Sequence, residues 1–344
     1  MASPTAIAEG AHAGESAALE HSVEEHAMTV AAHLEKSELV KSSFNIDDED
    51  KWCAHLKEKG YVVIKACAEA TEVNRARELI WDALELTTPA RRDDISSWES
   101  WRLDKRGFSM HGTVTQGEGA WLVRSLPRVR HVFECIWKQT DLICSLDLVL
   151  IWRPWWLSPL PAKWLPKTEG LHVDQNPLRK PEFACVQGMV PLYDVTEETG
   201  GLEVVPRSHL PNAKEMLVKR CEEELRGLGE FCRIPKDYYA PGASALITAN
   251  AGDLILWDSR TVHGGKVGTG MVVPCEEGED MPPQLARLTV PVCMTPRNLA
   301  SDDVLKTRRD MFLDGKTTNH WPHEPRVQNQ VSFGYTPIEL SHVQ

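Results

Sequence analysis

No two of the nine cysteines in this 344-residue chain stand in a C-x-x-C pair; they fall at positions 53, 67, 135, 144, 185, 221, 232, 275 and 293. That scatter suits neither a zinc ribbon nor a disulfide scaffold, so reduced thiols in a reducing compartment, the cytoplasm, are expected. Long hydrophobic runs are missing too. The longest apolar stretch, Leu146–Trp152, is interrupted by Asp147, and a bilayer crossing needs about 20 residues. The N-terminus, MASPTAIAEGAHAGES, lacks the basic and apolar regions of a secretory signal. Positive charge is in deficit: 38 Lys and Arg against 50 Asp and Glu give −12, which argues against a nucleic-acid partner. There is no internal repeat. Tyrosine and phenylalanine are scarce, at 5 and 7, while tryptophan reaches 12.

Residues 1–44 are rich in Ala, Glu, His and Ser and read as a mobile or loosely docked leader, with helical pieces around 18–40. Its irregularly spaced histidines (12, 21, 26 and 33) do not form a metal pattern. Residues 45–344 read as a single domain. A strand is expected at Tyr61–Lys65, helices over Glu69–Leu86 and Val129–Lys138, and a buried strand over Leu142–Trp152. Arg153–Gly170 holds four prolines and three tryptophans and is expected to lack regular structure, as a lid, a pocket wall or a pinned surface loop. Short strands then dominate, at 170–175, 183–193, 202–205, 245–248, 253–257 and 286–294. A helical insertion at 213–231 interrupts them, and a charged helix capped by Ser301 follows at 302–313. Helices first and many short strands after give an α+β fold: a β-sandwich or barrel buttressed by N-terminal and inserted helices.

In His172-Val173-Asp174, strand alternation puts the imidazole and the carboxylate on one face. The best third ligand is His263, which follows an apolar strand at a Gly-Gly exit. Two histidines and a carboxylate on one side of a metal form the facial triad of non-haem iron oxygenases. In Arg287-Leu288-Thr289 the guanidinium and the hydroxyl share a face, and an arginine inside a barrel needs an anion. A dicarboxylate such as 2-oxoglutarate fits that need; a salt bridge to an acidic side chain is the plainer alternative. Arg260, three residues before His263, is the rival anchor. His209, past a strand end in Pro-Arg-Ser-His, is expected to hydrogen-bond its turn rather than ligate. Arg153 and Lys163 could meet an acidic group of a substrate.

The ordered set H-x-D-Q, Q-G-x-V-P-L, T-G-G-L-x-V-V-P-x-S-H, A-G-D-L-I-L-W-D-S-R-T-V-H and R-L-T resembles the phytanoyl-CoA dioxygenase family, within the Fe(II)/2-oxoglutarate-dependent oxygenases, over roughly residues 50–300. The resemblance implies a double-stranded β-helix (a jelly roll, cupin-like) with Fe(II) held by His172, Asp174 and His263. It implies Arg287 on the C5 carboxylate of 2-oxoglutarate, Thr289 as a helping hydroxyl, and O2 as second cosubstrate. Gln187 either lines the cosubstrate pocket or is structural. The implied activity is hydroxylation of a small organic metabolite with release of succinate and CO2. A scaffold without turnover, or a different metal enzyme on the same barrel, are the alternatives. The sequence departs from the family pattern in a long, acidic 264–284 segment and in Arg207, where the family's stop carries glycine.

Overall fold

A computed structural model describes residues 43–270, 284–328 and 332–339. The leader therefore lies outside the described residues apart from Ser43 and Phe44, as does most of the acidic 264–284 segment. In chain order the elements are β1 (Ser43–Phe44), α1 (Glu49–Lys59), β2 (Tyr61–Ile64), α2 (Ala70–Thr87), β3 (Phe108–Ser109), α3 (Gly112–Thr115), α4 (Glu118–Arg124), α5 (Pro127–Trp137), β4 (Leu142–Cys144) and β5 (Val149–Trp152). There follow α6 (Pro161–Trp164), β6 (His172–Val173), β7 (Val186–Pro191), β8 (Gly200–Val204), α7 (Pro211–Arg226), β9 (Cys232–Arg233), β10 (Ala245–Leu246), β11 (Leu254–Asp258), β12 (His263–Val267), β13 (Arg287–Val292), β14 (Met294–Pro296) and α8 (Asp302–Leu313).

The strands build a seven-stranded sheet, β1-β2-β11-β7-β13-β5-β3, and a five-stranded sheet, β10-β8-β12-β6-β9, with β4 and β14 as a separate pair. Every pairing is antiparallel except β1 with β2. The two sheets enclose a cavity lined from both sides, the double-stranded β-helix arrangement. Period-two alternation sorts the side chains of the large sheet. Leu288, Val290 and Val292 of β13, Val186 and Val190 of β7, and Leu254 and Leu256 of β11 join the core formed with α2, α4 and α5. Their neighbours Arg287, Gln187, Met189 and Trp257 face the cavity instead.

The helices form where their sequence directs. α2 buries Val73, Ala76, Ile80, Trp81 and Leu84 along one stripe, and Glu69 with Glu72 closes a capping box. α1 stops at Gly60, whose φ of 84° needs glycine and whose Cβ would strike His209 and Thr261 at 2.5 Å. Ser301 caps α8 by accepting from the Val304 N–H.

Three expectations need correction. The 142–152 strand is two strands in different sheets, because Ser145 leaves the ladder to exchange hydrogen bonds with Cys293 and Asp147 turns back onto the Leu148 N–H. The 153–170 loop is not wholly irregular. It holds a 3-10 turn at Trp155–Leu157 and the one-turn α6, with Pro161 at the helix start, where its missing N–H costs nothing. Finally, His263 opens a strand of its own rather than trailing β11. The eight described cysteines are free thiols, and no helix among the described residues is long and apolar enough to cross a membrane.

Candidate metal centre

β6 and β12 are antiparallel neighbours with His172 directly opposite His263, so two imidazoles far apart in sequence meet with ring centroids 4.4 Å apart. Asp174 follows β6 and projects to the same place. Its Oδ2 lies 3.1 Å from Nε2 of His263 and 3.9 Å from Nε2 of His172. Among the described residues, these three form a group whose ligand atoms all lie within 4.8 Å of one another.

The surroundings fix how each group presents itself. Nδ1 of His172 donates to the Gly170 carbonyl at 2.8 Å, and Nδ1 of His263 to the Thr261 carbonyl at 2.9 Å. Since a carbonyl only accepts, each ring carries its proton on Nδ1 and turns the Nε2 lone pair inward, as metal-binding histidines do. A lone pair facing a carboxylate oxygen is satisfied by a cation between them, so the donor set fits a divalent metal. Burial, then the neighbouring His263, pushes the His172 imidazole down to about 4. Burial opposes ionisation of Asp174, but His320, His172 and His263 outweigh it and hold the carboxyl well below its ordinary range. At neutral pH the ligands thus stand as a neutral His172 and a carboxylate. Gln187 Nε2 donates to Asp174 Oδ2 at 3.0 Å and so steadies the carboxylate.

Arg287 occupies the same cavity, of about 720 Å³. Arg287 is 6% exposed, and its guanidinium lies against the Trp152 ring, 4.7 Å from its centroid. It reaches only Thr289 Oγ1 and Met189 Sδ, each at 3.4 Å. Among the described residues no carboxylate pairs with it, and burial alone pushes its pKa down to about 10. The plainer salt-bridge reading therefore has no partner here. The rival Arg260 is engaged by Asp258 in a bidentate pair at 2.9 and 2.6 Å.

The other candidates sit apart from the triad. His209 Nε2 donates to the Lys57 carbonyl at 3.0 Å, and the ring lies beneath Gly60. Arg153 binds the Trp98 and Trp101 carbonyls and stacks on Trp164, while Lys163 pairs with Glu99. Neither is among the cavity-lining residues. Most tryptophans are core: Trp81, Trp98, Trp101 and Trp164 pack together, whereas Trp152, Trp257 and Trp321 line the cavity. Several lining residues escaped sequence reasoning, His320 and Asp147 among them. His320, whose Nε2 has no hydrogen-bond partner, follows no pattern. Asp147 left one signal, a lone carboxylate inside an apolar run.

The profile described as phytanoyl-CoA dioxygenase (PhyH) matches residues 56–268, from α1 through β12. The chain belongs to the phytanoyl-CoA dioxygenase family. It is accordingly one of the Fe(II)/2-oxoglutarate-dependent oxygenases, and both histidines and the carboxylate fall within the matched segment. A relative of this family member is the Ava biosynthesis cluster protein O of Aspergillus versicolor, 27% identical over 241 residues, which cover 67% of this chain and 72% of that protein. Similar solved structures include the non-haem alpha-ketoglutarate-dependent epimerase SnoN from nogalamycin biosynthesis (17% identity, 73% of this chain and 83% of that one, TM-score 0.45). Another is EvdO2 from Micromonospora carbonacea var. aurantiaca complexed with 2-oxoglutarate (14% identity, 71% and 90%, TM-score 0.42). The family assignment stands on the profile match.

Proposed function

We propose that this family member hydroxylates a small organic metabolite, using Fe(II), 2-oxoglutarate and O2 and releasing succinate and CO2. The observation that carries the reading is a buried guanidinium without an acid partner in the same cavity as a two-histidine, one-carboxylate cluster. A buried unpaired cation is costly, and a ligand carboxylate arriving from solvent offsets that cost.

His172, Asp174 and His263 would hold the iron, which with 2-oxoglutarate supplies the power to oxidise an unactivated C–H bond. The chain's own tasks are positional. Arg287 takes the far carboxylate through two parallel hydrogen bonds, and Thr289 stands beside it to add a third. The Trp152 ring keeps the guanidinium from turning away. The Gly170 and Thr261 carbonyls hold both imidazoles by their Nδ1 protons, and Gln187 holds Asp174. The body of the substrate meets a partly apolar wall that includes Phe108, Phe231 and Trp257. The A. versicolor relative's place in a biosynthesis cluster is in keeping with a small-molecule substrate.

The test is succinate release from 2-oxoglutarate with and without ferrous iron, screened across a metabolite library, together with a metal titration. Substrate-dependent succinate that requires iron and vanishes in His172→Ala is expected. Succinate formation that survives His172→Ala would overturn the ligand assignment. Metal binding that 2-oxoglutarate does not perturb would instead favour a different metal enzyme on this barrel.

A further inference from the structure

Two thiols that the proposed reaction does not use lie against each other, one of them in the wall of the cavity that holds the candidate metal ligands. Cys185 immediately precedes β7 and Cys293 immediately follows β13. Their Sγ atoms are 3.2 Å apart, and the residues are 0% and 1% exposed. Trp321 completes this small cluster. Cys293 also lines the cavity, so a small oxidant can reach its sulfur from inside the protein while bulk reagents are kept off. A disulfide needs its sulfurs about 2.0 Å apart, so bond formation asks for a shift of roughly 1 Å at two side chains joining adjacent strands. Cys185 lies two residues before Gln187, the residue that holds Asp174.

We propose that Cys185 and Cys293 form an oxidation site, a dithiol that hydroperoxides convert to a disulfide through the cavity. The Cys293 sulfur attacks one peroxide oxygen; the S–O bond forms, the O–O bond breaks, and the departing hydroxide takes the thiol proton as water. The Cys185 sulfur then displaces the hydroxyl from the resulting sulfenic acid. The S–S bond forms, the S–O bond breaks, and a second water leaves with the second thiol proton. Sulfur is oxidised by two electrons and one hydrogen peroxide is reduced to two waters. Cys293 meets the oxidant first because it lines the cavity, and Cys185 resolves it because its sulfur lies 3.2 Å away.

The experiment uses the full chain in its metal-free form, so its result is independent of the oxygenase reading. The protein is treated with hydrogen peroxide, its remaining thiols are capped with N-ethylmaleimide after denaturation, and tryptic peptides are weighed. The peptides 180–207 and 288–297 hold one cysteine each. The expected product is the two joined, two hydrogens lighter than their sum and separated again by dithiothreitol. In Cys185→Ala the joined species is absent and Cys293 gains oxygen instead. The proposal is overturned if both cysteines are still capped after a treatment that has oxidised Cys53, the half-buried thiol on α1, or if Cys293 pairs with a different cysteine. The wild-type mapping decides the matter alone should the variant fail to fold.

Discussion

Arg287 and Arg260 carry the same side chain, yet only one is free to take a ligand. Asp258 already satisfies Arg260 in a bidentate pair, whereas Arg287 faces a thioether and a hydroxyl. Arg287→Ala is therefore expected to raise the 2-oxoglutarate requirement at least about 30-fold, since a buried charged contact is worth on the order of 2–5 kcal/mol. Arg260→Ala should leave that requirement near wild type; the reverse pattern, read from initial rates against 2-oxoglutarate concentration, would exchange their roles. Asp147 makes a separate point about stability. Burial raises its carboxyl from the ordinary 3.8 to about 6. The unfolded chain loses this proton first as pH rises from 4 to 6, so the folded state binds more protons in that window and stability falls across it. The full loss is on the order of 3 kcal/mol. Asp147→Asn keeps an acceptor for the Leu148 N–H and should flatten that fall. Urea midpoints of the metal-free protein at pH 4.5 and 7.5 would show the variant gaining at the higher pH, and no gain there would refute the argument. His172 with Asp174, and Arg287 with Thr289, were legible because strand parity puts i and i+2 on one face whatever the tertiary fold, and His263 because it stands at a Gly-Gly exit after an apolar strand. Asp147 and His320 were not, because the burial of a single polar residue is decided by partners remote in sequence.

At the scale of elements, the site depends on backbone that only glycine supplies. Gly107 has φ of +85°, and a Cβ there would lie 2.3 Å from the Ile151 carbonyl and 2.4 Å from the Trp152 ring. The same turn accepts the Trp152 indole N–H at the Arg106 carbonyl, 3.0 Å away. Gly107→Ala should therefore act twice. The left-handed backbone and the clash cost about 1–3 kcal/mol of stability, and the displaced indole no longer packs the Arg287 guanidinium. A fall in Tm together with a raised 2-oxoglutarate requirement is expected; a fall in Tm with unchanged 2-oxoglutarate dependence would show that Trp152 does not support the anchor. Gln187 offers a gentler probe of the neighbouring strand. Gln187→Leu keeps the bulk of the side chain and removes the donor to Asp174, and supporting groups of this kind are worth roughly 10–100-fold in metal affinity, readable by metal titration. Element boundaries were where sequence reasoning failed most. An apolar run such as 142–152 has the same pattern whether it is one strand or two, and only the Ser145 exchange with Cys293 reveals the break.

The molecule as a whole closes its cavity with chain that the family match does not reach. That match ends at residue 268, just past β12, and the anchor strand β13 lies beyond it. So does the segment 317–328, which brings Asn319, His320, Trp321 and Gln328 into the cavity wall. This segment is pinned rather than draped. The Thr318 N–H donates to the Leu146 carbonyl at 2.7 Å, Thr317 and Thr115 share a buried hydroxyl contact at 2.9 Å, and Thr318 bridges to Val327. Trp321 is 2% exposed, and Lys180 rests on its ring while also pairing with Glu324. Nothing in the segment's sequence advertises this, since it is short, proline-broken and free of strand or helix periodicity; its place comes from hydrogen bonds to chain some 170 and 200 residues earlier. If the segment is an integral wall, Trp321→Ala should cost about 3–5 kcal/mol, as buried tryptophans do. It should also open the cavity to an apolar dye, seen as increased fluorescence of 8-anilinonaphthalene-1-sulfonate below the unfolding transition. Stability and dye binding both near wild type would mean that the two sheets form the cavity unaided and that the segment only rests upon it.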